Sequence, residues 1–233
     1  MNKEFKRGIK NGIPICLGYF SVSFAFGIFT VSNGLTAIEA VLISMTNVTS
    51  AGQLASIPIM VGGGTLLELA ASQLVINLRY ALMSVTLSQK LDDSIKLRHR
   101  FLFAFVNTDE VFAVAMGNIK NVNKYYMYGL ILTPWLGWVA GTALGAVAGD
   151  ILPSIVTTSL GVAIYGMFVA IVLPVAKKEK NTAVCVIIAI ALSCICYYVP
   201  ALSKIPSGFV IIICAVIASA IMAVISPVKE AEQ

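Results

Sequence analysis

Apolar runs of about 20 residues recur along the whole chain, and this feature restricts its possible folds more than any other. Each run is long enough to cross the hydrocarbon core of a bilayer as a helix. Of the 233 residues, 58% are hydrophobic and only 12% are charged, whereas soluble domains are about one quarter charged. The pattern predicts an all-α, polytopic inner-membrane helical bundle. It argues against a soluble enzyme, a secreted disulfide scaffold and a disordered chain.

The candidate spans follow one another without a soluble domain between them, so residues 1–233 are expected to form a single integral membrane domain. The spans cover residues 12–33, 36–61, 65–88, 101–118, 125–148, 155–176, 182–200 and 207–226. Two of them, 36–61 and 101–118, either cross fully or turn back, and the sequence leaves both possibilities open. We expect about seven membrane helices, with one broken or re-entrant segment.

The basic residues gather in short segments between the apolar runs, notably at the N-terminus and in the stretch 89–100. Such segments stay on the cytoplasmic side, which predicts a multi-pass protein of the plasma membrane with a cytoplasmic N-terminus. Two cytoplasmic segments must be separated by an even number of crossings, yet three apolar segments lie between these two. Segment 36–61 is the best candidate not to cross, because its middle (residues 46–53) is polar and small. The alternative is one continuous helix with a polar middle.

Segment 125–148 carries a ladder of glycines, Gly137, Gly141 and Gly145, which Gly149 continues just beyond its end. A spacing of four places all of them on one stripe of a helix. Stacked glycines allow a second backbone to approach closely in a membrane. We interpret the ladder as a helix-packing surface.

Four ionisable residues lie inside apolar segments, where a charge is costly and is a candidate for function: Glu68, Arg79, Asp109 and Glu110. If 65–88 and 101–118 run antiparallel, Arg79 and Asp109 lie at the same depth, about 12–13 Å from the intervening loop. Arg79 is therefore expected to meet the two adjacent acids, with Asp109 facing it. Either the ion pair is purely structural, or it lies in a solute path where one acid binds a proton or an ammonium group.

Polar residues near these charges complete the candidate path for a substrate or ion. They come from the polar middle of 36–61 and from a polar stripe on 65–88. The full set is Asn47, Thr49, Ser50, Gln53, Asn77, Arg79, Tyr80, Asp109 and Glu110. The single histidine, His99, lies in a basic loop and the cysteines lie in apolar runs, so no catalytic constellation, metal site or cofactor is expected.

Three stretches resemble the AzlC family, the large subunit of bacterial branched-chain amino acid exporters. They are GIKNGIPICLGYFSVSFAFGI at the N-terminus, NLRYALMS at residues 77–84 and NTDEVFA at residues 107–113. The resemblance implies export of hydrophobic amino acids such as leucine, isoleucine or valine. It also implies a partner, a small AzlD-type membrane subunit.

The sequence leaves three classes of function to weigh. A secondary transporter, which is not an enzyme, is the leading hypothesis, because polar and charged residues lie inside apolar spans. A structural or channel-like subunit of a membrane complex is the alternative. A membrane-embedded enzyme would need a reactive constellation that the sequence does not display.

Overall fold

In a computed structural model, the chain is described at residues 2–92, 95–118, 122–153, 155, 159, 165–166, 169 and 172–226. The described part is all-helical. Its helices include α1 (Lys3–Ser32), α2 (Ala37–Thr46), α3 (Ser50–Val61), α4 (Leu66–Lys90), α5 (Leu97–Phe105), α6 (Asp109–Met116), α7 (Lys124–Ile151), α8 (Lys180–Tyr198) and α9 (Ser207–Ile225).

Five helices in this described part are long and apolar enough to cross a membrane, namely α1, α4, α7, α8 and α9. The chain is thus a multi-pass membrane protein, but the expected number of about seven membrane helices is not confirmed. The predicted span 155–176 lies largely outside the described residues. The predicted spans 36–61 and 101–118 are each divided into two short helices.

The chain divides into two compact units. The first comprises residues 1–57 and 77–164, and the second comprises residues 58–76 and 165–233. All the residues of the predicted path lie in the first unit. In the second unit α8 packs against α9, and the buried carboxylate of Glu68 accepts a 2.8 Å hydrogen bond from the backbone N–H of Gly208 at the start of α9.

The first unit is built on close packing of α1 against α7, and here the glycine ladder is confirmed as a packing surface. A Cβ atom added to Gly137 would lie 2.7 Å from the carbonyl oxygen of Cys16. Cβ atoms on Gly141 and Gly145 would overlap the carbonyl oxygens of Phe20 and Phe24. Each step of four residues along α7 therefore matches a step of four along α1 in the same direction, so the two helices are parallel.

The parallel arrangement places the basic starts of α1 and α7 at the same end of the unit. The end of α4 lies there too, because the N–H of Val122, just before α7, donates to the carbonyl of Lys90 at 3.0 Å. We call this the basic end. Arg7 on α1 also reaches it, donating to the side chain of Asn118 at 3.1 Å.

Segment 101–118 is not a spanning helix, because it leaves the basic end and returns to it. Its first helix, α5, is held there by a 2.6 Å hydrogen bond between His99 and Tyr128 of α7. Its second helix, α6, ends just before Asn118, which contacts Arg7. Between the two, the helix is interrupted at residues 106–108. The re-entrant alternative is the observed one, and we call α5–α6 the second broken segment.

Segment 36–61 is also broken, at residues 47–49, and we call α2–α3 the first broken segment. The side-chain amide of Gln53 on α3 donates to the hydroxyl of Ser44 on α2 at 3.0 Å. Nine residues of one continuous helix would separate these positions by about 13.5 Å along the axis. The chain therefore turns sharply at the break, and the alternative of one continuous helix is wrong.

Candidate functional site

The two breaks converge on an aromatic pair at the centre of the first unit. Tyr19 lies midway along α1 and Trp138 midway along α7, with ring centroids 5.1 Å apart in an edge-to-face arrangement. Gln53, four residues after the first break, accepts a hydrogen bond from Trp138, and Glu110, two residues after the second, accepts one from Tyr19. Because helix midpoints lie near the middle of a bilayer, both breaks are placed at membrane depth. Irregular backbone is tolerated there only when it is covered by protein or lines a cavity.

The predicted contact between Arg79 and Asp109 is confirmed. An Arg79 nitrogen lies 2.7 Å from a carboxylate oxygen of Asp109, the first residue of α6. The same nitrogen donates to the hydroxyl of Tyr80 at 3.0 Å. The side chains of Arg79 and Asp109 are 58% and 46% exposed, so the chain itself leaves both charges partly uncovered.

Glu110 faces a different direction from Asp109. Its carboxylate accepts a hydrogen bond from the hydroxyl of Tyr19 on α1. Adjacent helix residues point about 100° apart, which is why two neighbouring acids contact different elements. The second broken segment is thereby bonded to α4 through one acid and to α1 through the other.

Gln53 has a structural environment that its sequence position did not reveal. It is fully buried, and its side-chain oxygen accepts a 2.9 Å hydrogen bond from the indole N–H of Trp138. Its amide reaches Ser44, whose hydroxyl lies 2.7 Å from that of Thr142 on α7. This chain of hydrogen bonds holds both arms of the first broken segment against the middle of α7.

The other predicted residues lie at the breaks and on α4. The side chain of Asn47 accepts hydrogen bonds from the backbone and the hydroxyl of Thr49, at 3.1 and 2.9 Å, and so bridges the first break. Ser50 begins α3 directly afterwards. Asn77 lies on α4, two residues before Arg79. All nine predicted residues therefore lie in the first unit, distributed over the two breaks and the adjoining part of α4.

Sequence reasoning missed two buried residues of the second break, Asn107 and Thr108, which are 3% and 5% exposed. The side-chain amide of Asn107 donates to Ser84 on α4 at 3.0 Å. Its side-chain oxygen is buried without a hydrogen-bond partner among the described residues. Their position beside two acids, within the stretch NTDE, was the available signal. Tyr19 was also missed, although a tyrosine in an apolar helix commonly needs a hydrogen-bond partner.

Comparison with known proteins gives a consistent picture. The family model described as AzlC protein matches residues 14–152. A protein of Archaeoglobus fulgidus named "Uncharacterized membrane protein" is 35% identical over 172 residues, covering 73% of this chain and 75% of the relative. The inner membrane protein YgaZ of Escherichia coli is 28% identical over 194 residues, covering 80% and 78%.

A third relative, from Bacillus subtilis, is named "Branched-chain amino acid transport protein AzlC". It is 25% identical over 180 residues, covering 76% of this chain and 70% of the relative. No solved structure matches the chain. Since the family model covers more than half of the sequence, including both broken segments and the ion pair, the chain belongs to the AzlC family.

Proposed function

We propose that this chain is a secondary transporter that exports hydrophobic, branched-chain amino acids across the plasma membrane together with a small AzlD-type subunit. The observation that carries the proposal is the convergence of two broken segments at membrane depth beside an ion pair that the chain leaves partly uncovered. Discontinuous helices at the membrane midplane are characteristic of substrate sites in secondary transporters. The name of the Bacillus subtilis relative supports branched-chain amino acids as the substrate class.

The chemistry at the second break suits the charged groups of an amino acid. Asp109 or Glu110 would bind the substrate ammonium group, because carboxylates pair with cations. Arg79 or the N-terminus of α3 would bind the substrate carboxylate, since helix N-termini and arginine both favour anions. The unpartnered side-chain oxygen of Asn107 offers a further hydrogen bond. The many apolar side chains around the breaks suit an aliphatic substrate side chain.

The decisive experiment measures efflux of labelled leucine, isoleucine, valine and a panel of other amino acids. Cells or vesicles would carry this chain alone, the small subunit alone, both, or neither. We expect efflux of the branched-chain amino acids only when both chains are present. If the pair supports no efflux of any amino acid although both chains are inserted, the transport proposal is wrong and a structural or channel-like role is favoured.

Charge-neutralising variants test which residues carry the transport role. Arg79→Ala leaves Asp109 uncompensated, and Asp109→Asn leaves Arg79 uncompensated, so each single change should impair insertion or efflux. The double variant should restore insertion. If Asp109 also binds substrate or a proton, the double variant should remain inactive in efflux; restored efflux would limit the pair to a structural role. Glu110→Gln is the matched control that shows whether the acid facing Tyr19 is required.

Bulky substitutions test the first break. Ala51→Leu places an isobutyl group in the first turn of α3, next to the irregular backbone at residues 47–49. We expect the variant to insert normally and to lose efflux. Ala37→Leu, in the first turn of α2 and far from the break, is the matched control and should retain efflux.

A further inference from the structure

A groove with apolar walls opens between α1, α5 and α7 in the first unit. Its cavity has a volume of about 470 Å³, and its walls include Phe5, Leu102, Phe105, Tyr128, Leu132 and Trp135. The Trp135 indole N–H already donates to the carbonyl of Met45 at 3.2 Å. Because this bond occupies the polar group of Trp135, the inner end of the groove is apolar. The same bond shows that this end touches the first broken segment.

The groove has the depth of one membrane leaflet. It follows α7 from Tyr125, beside the basic end, to Trp135 near the helix middle. Ten helical residues rise about 15 Å, which is half of the roughly 30 Å hydrocarbon core. A lipid acyl chain that enters from the basic end would fill the groove without crossing into the other leaflet.

Basic residues lie next to the lining residues at the outer end of this groove, which we call its mouth. The Lys124 ammonium lies 5.2 Å from the centroid of the Tyr125 ring, and His99 is bonded to the hydroxyl of Tyr128. Partial desolvation and the neighbouring charges of Arg98, Lys124 and Lys96 hold the pKa of His99 below its ordinary value. Lys96, Arg98 and Lys124 thus bring positive charge to the mouth, at the basic end of the unit.

We propose that this groove binds an anionic phospholipid, with an acyl chain along α7 and the headgroup phosphate against Lys96, Arg98 and Lys124. Basic pockets between membrane helices bind anionic headgroups by this charge complementarity. The inference is independent of which solute the protein transports. A zwitterionic lipid would satisfy the apolar wall but would leave the cationic mouth without a compensating net charge.

Native mass spectrometry of the purified chain tests the lipid directly. The protein receives equal amounts of phosphatidylglycerol and phosphatidylcholine with identical chains, and the bound lipid is counted. Because three basic residues attract the anionic headgroup, we expect phosphatidylglycerol to be retained at least about tenfold more strongly than phosphatidylcholine. Equal retention of the two lipids would overturn the proposal.

Matched variants distinguish a specific headgroup site at the mouth of the groove from a general effect of positive charge on lipid binding. The triple variant Lys96→Gln, Arg98→Gln, Lys124→Gln should lose the preference. A control triple variant, Lys177→Gln, Lys178→Gln, Lys180→Gln, removes the same charge from residues that belong to the second unit and should keep it. Loss of the preference in both triple variants to the same extent would contradict a site at the groove.

The wall of the groove is tested with Leu102, which is 52% exposed and therefore tolerant of change. Leu102→Trp should reduce the retention of both lipids by filling the groove, and unchanged retention would refute acyl-chain binding there. A photo-crosslinking amino acid at position 102 should form lipid adducts in cells. Adducts to a protein alone would assign the groove to a partner subunit and reject the lipid.

Discussion

The close packing of α1 on α7 predicts that small additions to the glycine ladder destabilise the protein. In the double variant Gly141→Ala, Gly145→Ala, each new Cβ atom overlaps a carbonyl oxygen of α1, that of Phe20 or Phe24. These oxygens belong to the backbone of a helix and do not rotate away. The two helices would have to separate, and contacts along their whole shared length would weaken.

The expected magnitude follows from two opposing effects. Overpacking typically lowers the unfolding free energy by about 2 kcal/mol per site. Replacing a helical glycine by alanine raises it by about 1 kcal/mol, because alanine has the higher helix propensity. For two sites the net loss in unfolding free energy is therefore about 2 kcal/mol. Gly18→Ala, also in α1, is the matched control, because an added Cβ there meets no atom within 4 Å. The control should be neutral or more stable by up to about 1 kcal/mol.

The assay is thermal unfolding of the detergent-solubilised protein, followed by loss of the monodisperse peak in size-exclusion chromatography. The double variant should melt below the wild type, and Gly18→Ala should melt at or above it. Equal melting of the double variant and the control would refute the parallel register of α1 and α7. The placement of the starts of α1 and α7 at the same end of the unit would then also be wrong.

Two further predictions follow from the same packing. In a cysteine-free background, cysteines placed at Gln89 and at Lys124 should react with an impermeant thiol reagent from the same side of the membrane. A cysteine at Thr36 should react from the opposite side. Labelling of positions 89 and 124 from different sides would contradict a re-entrant second broken segment. Trp138→Phe removes the N–H that donates to the buried oxygen of Gln53. It should lower the unfolding free energy by about 1–3 kcal/mol, measured as a lower melting temperature. An unchanged melting temperature would show that the bond does not hold the first broken segment.

The cytoplasmic side of the basic end stays a prediction. The positive-inside rule assigns the N-terminus and residues 89–100 to the cytoplasm. Ser94, the natural labelling position in that loop, lies outside the described residues, so Gln89 is the better choice. The relative placement of the two basic segments at one end rests on the parallel register and on the contact between Val122 and Lys90.

The sequence by itself determined the class of protein and several local features. Long apolar runs are local in the chain and require a membrane wherever the helices pack. The glycine stripe needs only the helical period, and the polar middle of 36–61 indicated a break there. The contact of Arg79 with Asp109 was also predictable, because an unpaired charge is costly at membrane depth and the spacing brings Arg79 to the depth of two adjacent acids.

Only the tertiary structure decided how the segments meet. The sequence left open whether 101–118 crosses or returns, because hydropathy measures how apolar a segment is and not its direction. The parallel register of α1 and α7 settled the direction by bringing Lys90, Lys124 and Arg7 to one end. Likewise, the bond from Trp138 to Gln53 joins residues 85 positions apart. Such a pairing depends on the depth and rotation of two helices, which are set by packing against each other and not by the local pattern of either one.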